Sequence, residues 1–307
     1  MSGRSEIHPA GAAVLDREHV RAPGAPAVAS SGGRHAKPQA FDQPRFLKVF
    51  TGLVLIYLFA PILVVFWFSF NSGRSLQVFR SFSLVWYQKL LQDSNIVGSM
   101  VASVEVALVT MVVATAIGTL LAFGLVRARS RATRPTDALM LLNLVTPEIA
   151  TGVAFLLLFS QLGFTLSLQT VIIGHITFSI AYVTIIVRGR LATLNREVEE
   201  AALDLGANYV QAMRLVTLPL LWPAIAAAGL LVFVMSFDDF VTSFFTTGVG
   251  VQPLPLRIYS MIRFGVTPEV NAVGTVMMVV TIAIVLAALA LFTRQRNARQ
   301  ELAFLAE

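Results

Sequence analysis

The chain has 307 residues, of which 56% are hydrophobic and only 13% charged, whereas a soluble domain of this length carries roughly a quarter charged residues. With a mean hydropathy of +0.75, this composition excludes an ordinary soluble globule and indicates a chain that crosses a membrane repeatedly. The absence of cysteine excludes disulfides and thiolate metal sites, and the net charge of +6 must be explained by where the charges lie.

Residues 1–44 are rich in Ala, Gly, Pro, Ser and Arg with no helical apolar period, which predicts a disordered cytoplasmic tail. No apolar core follows its early charges, so a cleavable signal peptide is not expected. Residues 45–295 are predicted to form a six-helix membrane domain, since a bilayer-crossing helix needs about 20 apolar residues. The six stretches are 46–70, 96–126, 137–160, 168–187, 220–245 and 272–292.

The external segment 71–95 carries Phe79, Phe82, Trp86 and Tyr87, which suit the headgroup zone as anchors. A basic turn, Arg127-Ala128-Arg129-Ser130-Arg131, follows the second span. Pro147 interrupts the third, and residues 161–167 read as an external hairpin. After the fifth span, Pro253 and Pro255 precede a short amphipathic stretch at 256–264. Residues 296–307 are predicted to be a cytoplasmic C-terminal tail.

With six spans, the tails and the second and fourth loops share one side of the membrane. The other side holds only Arg74, Arg80, Lys89, Arg257 and Arg263 of the 23 Lys and Arg. The positive-inside rule then places both termini in the cytoplasm. The positive charge follows topology, and no nucleic-acid partner is expected. His8, His19 and His35 lie in the tail. His175 stands alone in a span and reads as a packed, hydrogen-bonded helix residue, so no metal site is expected. None of the lysines, Lys37, Lys48 and Lys89, follows a Gly-rich loop. The chain therefore holds no cofactor of its own, and any ATP that drives it is hydrolysed by another chain.

A polar island, 189–219, separates the fourth and fifth spans. Val198, Ala201, Ala202 and Leu205 follow the i, i+3, i+4, i+7 spacing of one apolar helical face. Asn195 is placed to cap that helix, with Glu197, Glu199 and Glu200 near its positive end. Beyond Gly206, Asn208 begins a second helix in which Tyr209, Ala212, Met213 and Val216 repeat the spacing. Pro219 is expected to end it and start the next span. Two amphipathic helices held outside the bilayer suit the gripping of a soluble partner.

Acidic residues fall within or beside the spans at Glu105, Glu148, Asp238 and Asp239, and no Lys or Arg lies well inside one. A charge at the bilayer centre costs about 2.5–3.5 kcal/mol on insertion scales, so such groups face cavities and mark transport paths. Unpaired acids there favour a cationic solute. At about 1.5 Å per residue, Glu148 is placed about 16 Å along the third span, beside a carbonyl freed by Pro147. Asp238 and Asp239 are placed near the external mouth, about 100° apart on one helix. Phe237, Phe240, Phe244 and Phe245 surround them and suit methylene chains or ammonium groups.

Glu200-Ala201-Ala202, then three residues, Gly206, nine residues and Val216-Thr217-Leu218-Pro219 resemble the EAA loop of ABC importer permeases. Val216 stands where isoleucine is commoner. Other resemblances are narrower: Leu254-Pro255-Leu256-Arg257-Ile258-Tyr259-Ser260-Met261, then Gly265-Val266-Thr267-Pro268-Glu269-Val270-Asn271-Ala272. With Ser236-Phe237-Asp238-Asp239, Thr146-Pro147-Glu148 and Gly174-His175-Ile176-Thr177-Phe178, these resemble the second membrane subunit of spermidine/putrescine ABC importers.

The resemblance implies an all-α type I importer (MetI-like) permease fold in the bacterial inner membrane. It also implies a second homologous permease subunit, two ABC ATPase subunits carrying ATP and Mg, a periplasmic substrate-binding protein and a polyamine cargo. Relatives of the same architecture import other organic solutes, including amino-acid derivatives. An ion-coupled secondary transporter would leave the EAA loop unexplained. On this resemblance Glu200, Ala201, Ala202, Gly206, Tyr209, Met213, Val216 and Pro219 dock an ATPase; by their charge and place in the spans, Asp238, Asp239, Glu148, Phe237 and Phe240 are expected to line the solute path.

Overall fold

A computed structural model describes residues 45–304 apart from 76–77, 128–132, 251 and 266, with side chains from 46 to 290. The tail expected at 1–44, and residues 305–307, lie outside the described residues. In chain order the helices are α1 (Arg45–Phe68), α2 (Val85–Gln92), α3 (Ser94–Arg127), α4 (Thr133–Val145), α5 (Glu148–Gln161) and α6 (Leu168–Ala192). There follow α7 (Arg196–Asp204), α8 (Tyr209–Ala212), α9 (Leu218–Phe237), α10 (Val241–Thr246), α11 (Leu254–Arg263) and α12 (Pro268–Phe304). The chain divides into two units between Leu53 and Val54. The described part of the first, residues 45–53, is helical, with Phe46 stacked on Phe50. All that follows belongs to the second.

The centre of the second unit is built by α3, α6 and α9. Ala114, Ala122 and Phe123 meet Val183 and Val187 of α6 and Leu221, Ile225, Ala228 and Val232 of α9, all buried. Lipid tails are as apolar as these side chains, so close packing must hold the helices together, and small residues permit it. At Gly118 an added Cβ would lie 2.7 Å from Val183 Cβ, and Thr184 Oγ1 donates to the Gly118 carbonyl at 3.2 Å. A second core unites Trp86, Leu90, Ile96, Leu254, Ala272 and Val273.

Two expected spans are broken. Among the described residues, five helices are long and apolar enough to cross a membrane, and a sixth span exists if α4 and α5 count as one. That pair is bent by 110°. Pro147, with ψ 132°, lacks an N–H and drives the residue before it out of helical geometry. Counting depth for Glu148 along a straight third span is therefore wrong. Likewise α9 ends at Phe237 and α10 starts at Val241, so Asp238 and Asp239 sit on a break and the 100° relation does not hold.

The junction at Pro219 is the reverse case. Instead of ending there, the helix runs from α8 through a π turn at Met213–Thr217 directly into α9. Proline crowds the carbonyl four residues back, here inside the widened turn, which accommodates it. At the other end, α12 continues helical past residue 295, although the apolar stretch of its sequence stops at Phe292.

Of the residues expected to serve as headgroup anchors, Phe82 is exposed, but Trp86 and Tyr87 are engaged by the fold. Trp86, on the unanticipated α2, is buried and donates from Nε1 to the Asn71 carbonyl at 2.7 Å, and Tyr87 Oη pairs with Ser69 Oγ at 2.7 Å. Buried Asn71 is the hub: its Nδ2 donates to the carbonyls of Ser75 and Val78, and its Oδ1 accepts from the backbone of Gly73 and Arg80. On the same side α11 starts at Leu254, whose N–H is taken by Ser103 Oγ of α3 at 2.7 Å.

Candidate functional site

The bend at Pro147, the break at 238–240 and α6 together line an open cavity of about 410 Å³. Cavities of roughly 300–1,000 Å³ hold small organic ligands. Asn143 and Thr146 come from the bend, Glu148 and Thr151 from α5, Phe178 and Tyr182 from α6. Asp238, Asp239, Phe240 and Thr242 come from the break and α10. Three carboxylates thus line one space, and no Lys, Arg or His is among the lining residues. Asn143 is held by its Nδ2 donating to the Phe178 carbonyl at 3.0 Å. At Gly152 an added Cβ would lie 2.6 Å from a Phe245 ring carbon, so glycine lets α10 seat against α5.

The two aspartates are in different situations. The Asp239 side chain is largely buried. Its Oδ2 accepts from Ser243 N at 2.8 Å and lies 3.0 Å from His175 Nε2, while Oδ1 accepts from Thr242 N at 3.4 Å. It therefore caps α10, a service that water would perform outside a membrane. Asp238 and Glu148 are exposed, and among the described residues neither bonds another side chain. His175 is fully buried, with Nδ1 at 2.7 Å from Ser236 Oγ. The sequence indicated a packed, hydrogen-bonded histidine, but nothing in it named Asp239 as the partner.

Of the aromatic residues assigned to the path, Phe240 lines the cavity and contacts Tyr259, ring centroids 5.0 Å apart. Phe237 does not. It is buried in a core with Ala107 and Phe233 and stacks on Phe233. Glu105 lies on an exposed face of α3 and is not part of the cavity lining.

In the polar island the expected caps are present. Asn195 Oδ1 accepts from Glu197 N at 3.1 Å, and Asn208 forms a reciprocal box with Gln211. Gly206 joins the helices at φ +90°, a conformation that glycine alone adopts without strain. Glu200, Ala201, Gly206, Tyr209 and Pro219 are exposed, and Ala202, Met213 and Val216 are half-buried. Met213 packs against the chain's own core, so the second apolar stripe is divided. The outward surface is made by Leu205, Tyr209, Val210 and Leu215, each more than half exposed.

Sequence reasoning gave Glu199 to the helix dipole alone. In the structure it forms an ion pair with Arg127 at the end of α3 and accepts from Thr217 Oγ1 at 3.3 Å, so it ties α7 to the feet of α3 and α9. A cleft of about 570 Å³ opens beside it, lined among others by Glu200, Tyr209 and Val216.

Residues 114–299 match the family of the binding-protein-dependent transport system inner membrane component, and the chain belongs to that family. Among curated relatives it is 37% identical to the spermidine/putrescine transport system permease protein PotC of Haemophilus influenzae, over 82% of this chain and 98% of that one. It is 36% identical to the putrescine transport system permease protein PotI of Escherichia coli strain K12, over 72% and 82%.

Two solved structures show the fold. One is a bacterial ABC transporter involved in import of the acidic polysaccharide alginate, with TM-score 0.64 and 14% identity over 81% of this chain and 95% of that one. The other is the MetNI methionine ABC transporter, with TM-score 0.54 and 19% identity over 67% and 95%. The chain has the helical fold of an ABC importer permease.

Proposed function

We propose that this chain is one of two membrane subunits of an ATP-driven importer that moves putrescine or spermidine from a periplasmic binding protein into the cytoplasm. Its termini lie in the cytoplasm. Two ABC ATPase subunits, which hold ATP and Mg, dock on the helices either side of Gly206. A second homologous permease chain closes the other side of the path. Glu105, a charge that lipid would not accept on the exposed face of α3, suits contact with that chain.

The observation that carries the reading is the convergence of Glu148, Asp238 and Asp239 on one cavity with no cationic side chain in its lining. Such a space attracts a polyamine, and Phe178, Tyr182 and Phe240 offer ring faces for its ammonium groups and methylenes. The polyamine relatives support the solute class, and the ABC importer fold supports the energy source.

The test is uptake of labelled putrescine by the complete reconstituted transporter carrying Asp238→Asn with Glu148→Gln. Each lost charge contact is expected to cost about tenfold, so uptake per assembled complex falls about a hundredfold while assembly stays near the parent level. Parental uptake per complex in the double variant would remove the cavity from the pathway.

A further inference from the structure

We propose that His175 is a positioning residue for transport. It pins Asp239 across the break between α9 and α10 and so leaves Asp238 and Glu148 as the carboxylates that meet the solute. The inference rests on the cavity being the solute path.

The Asp239 side chain is only 10% exposed and that of His175 is fully enclosed. A carboxylate only accepts, so the imidazole proton lies on Nε2, 3.0 Å from Asp239 Oδ2. In the neutral ring, Nδ1 then accepts from Ser236 Oγ at 2.7 Å. One ring therefore joins α6, the last turn of α9 and, through Ser243 Oγ at 3.2 Å from Nε2, the first turn of α10.

The break leaves the first backbone N–H groups of α10 without helical partners, and Asp239 takes those of Thr242 and Ser243. A carboxylate engaged by two N–H groups and an imidazole has little left to offer a passing cation. Asp238 and Glu148 face the same cavity with no side-chain partner among the described residues. Without the imidazole, Asp239 keeps only its backbone partners at Thr242 and Ser243 and is held less firmly out of the cavity. The break loses its brace, and a loosened Asp239 competes with Asp238 and Glu148 for the solute.

The test measures putrescine moved per ATP hydrolysed by the complete transporter, normalised to assembled complex. A purely structural loss lowers uptake and hydrolysis together and leaves this ratio unchanged. His175→Leu is expected to lower the ratio about tenfold, and His175→Gln, whose amide can still donate to Asp239, to restore it to within about threefold of the parent. Ser236→Ala, which removes only the bond to Nδ1, is a milder variant that stays measurable if His175→Leu does not fold, and it should lower the ratio about threefold.

A parental ratio in His175→Leu, or in Ser236→Ala should His175→Leu fail to fold, overturns the proposal. So does a Gln variant as impaired as the Leu variant. Asp238→Asn in the same assay separates the two readings. An impaired Asp238→Asn beside a parental His175→Leu defeats the positioning role alone, whereas a parental Asp238→Asn defeats the cavity reading beneath it.

Discussion

Proline in place of Gly206 should leave the protein inserted in the membrane yet lower uptake by about a hundredfold, as expected when a link between two rigid helices is redirected. Gly206 stands at φ +90°, and proline is locked near −65°. Its N–H, which donates to the Leu203 carbonyl at 2.9 Å and helps close α7, would also be deleted. Both effects turn α8 relative to α7 and misdirect the outward surface of Leu205, Tyr209, Val210 and Leu215.

Glu200→Arg attacks the same surface without backbone strain, because Glu200 is exposed beside the cleft near Glu199. The two variants together separate geometry from charge. ATPase co-purification and solute uptake are the measurements, and parental values for both in both variants would refute docking at this loop.

The largest loss of stability is expected from Gly118→Leu. The missing side chain at Gly118 lets α3 approach α6 until an added Cβ would stand 2.7 Å from Val183 Cβ and 3.1 Å from the Ile180 carbonyl. Overpacking a core commonly costs about 1–3 kcal/mol. A whole leucine against backbone should exceed that range and force the two helices apart. Because Ala114, Ala122 and Val187 share the contact, the separation would open the centre of the fold. Thermal unfolding of the purified protein measures it: Gly118→Ala should lower the midpoint, and Gly118→Leu should yield little folded protein. An unchanged midpoint for Gly118→Leu would contradict the packing described.

Features set by local chemistry could be read from the sequence. Apolar length marked the membrane helices, Asn195 and Asn208 announced their caps, and the four acids stood out against apolar surroundings. Features set by contacts between distant residues could not. The pairing of His175 with Asp239 spans 64 residues and that of Arg127 with Glu199 spans 72, and no spacing rule reaches so far.

Pro147 signalled a disturbance, but neither the 110° angle nor the seating of α10 against Gly152 could be read from it. Phe237 looked equivalent to Phe240 in sequence. The end of α9 turns one into the core and the other toward the cavity. Trp86 and Tyr87 carry amphipathic rings that suit a headgroup zone equally well, and only the hydrogen bonds to Asn71 and Ser69 decide that they face inward.

A cationic solute is expected to occupy the space between Glu148 and Asp238. Since the chain contains no cysteine, Thr151→Cys places one thiol on the cavity wall while keeping every acid. In the reconstituted transporter, saturating putrescine delivered by the binding protein should slow modification of that thiol about tenfold, as expected for a site filled most of the time. A thiol introduced by Ser72→Cys, far along the chain in the external segment, should react at the same rate with and without putrescine. If solute leaves the rate at residue 151 unchanged as well, the cavity is not the path.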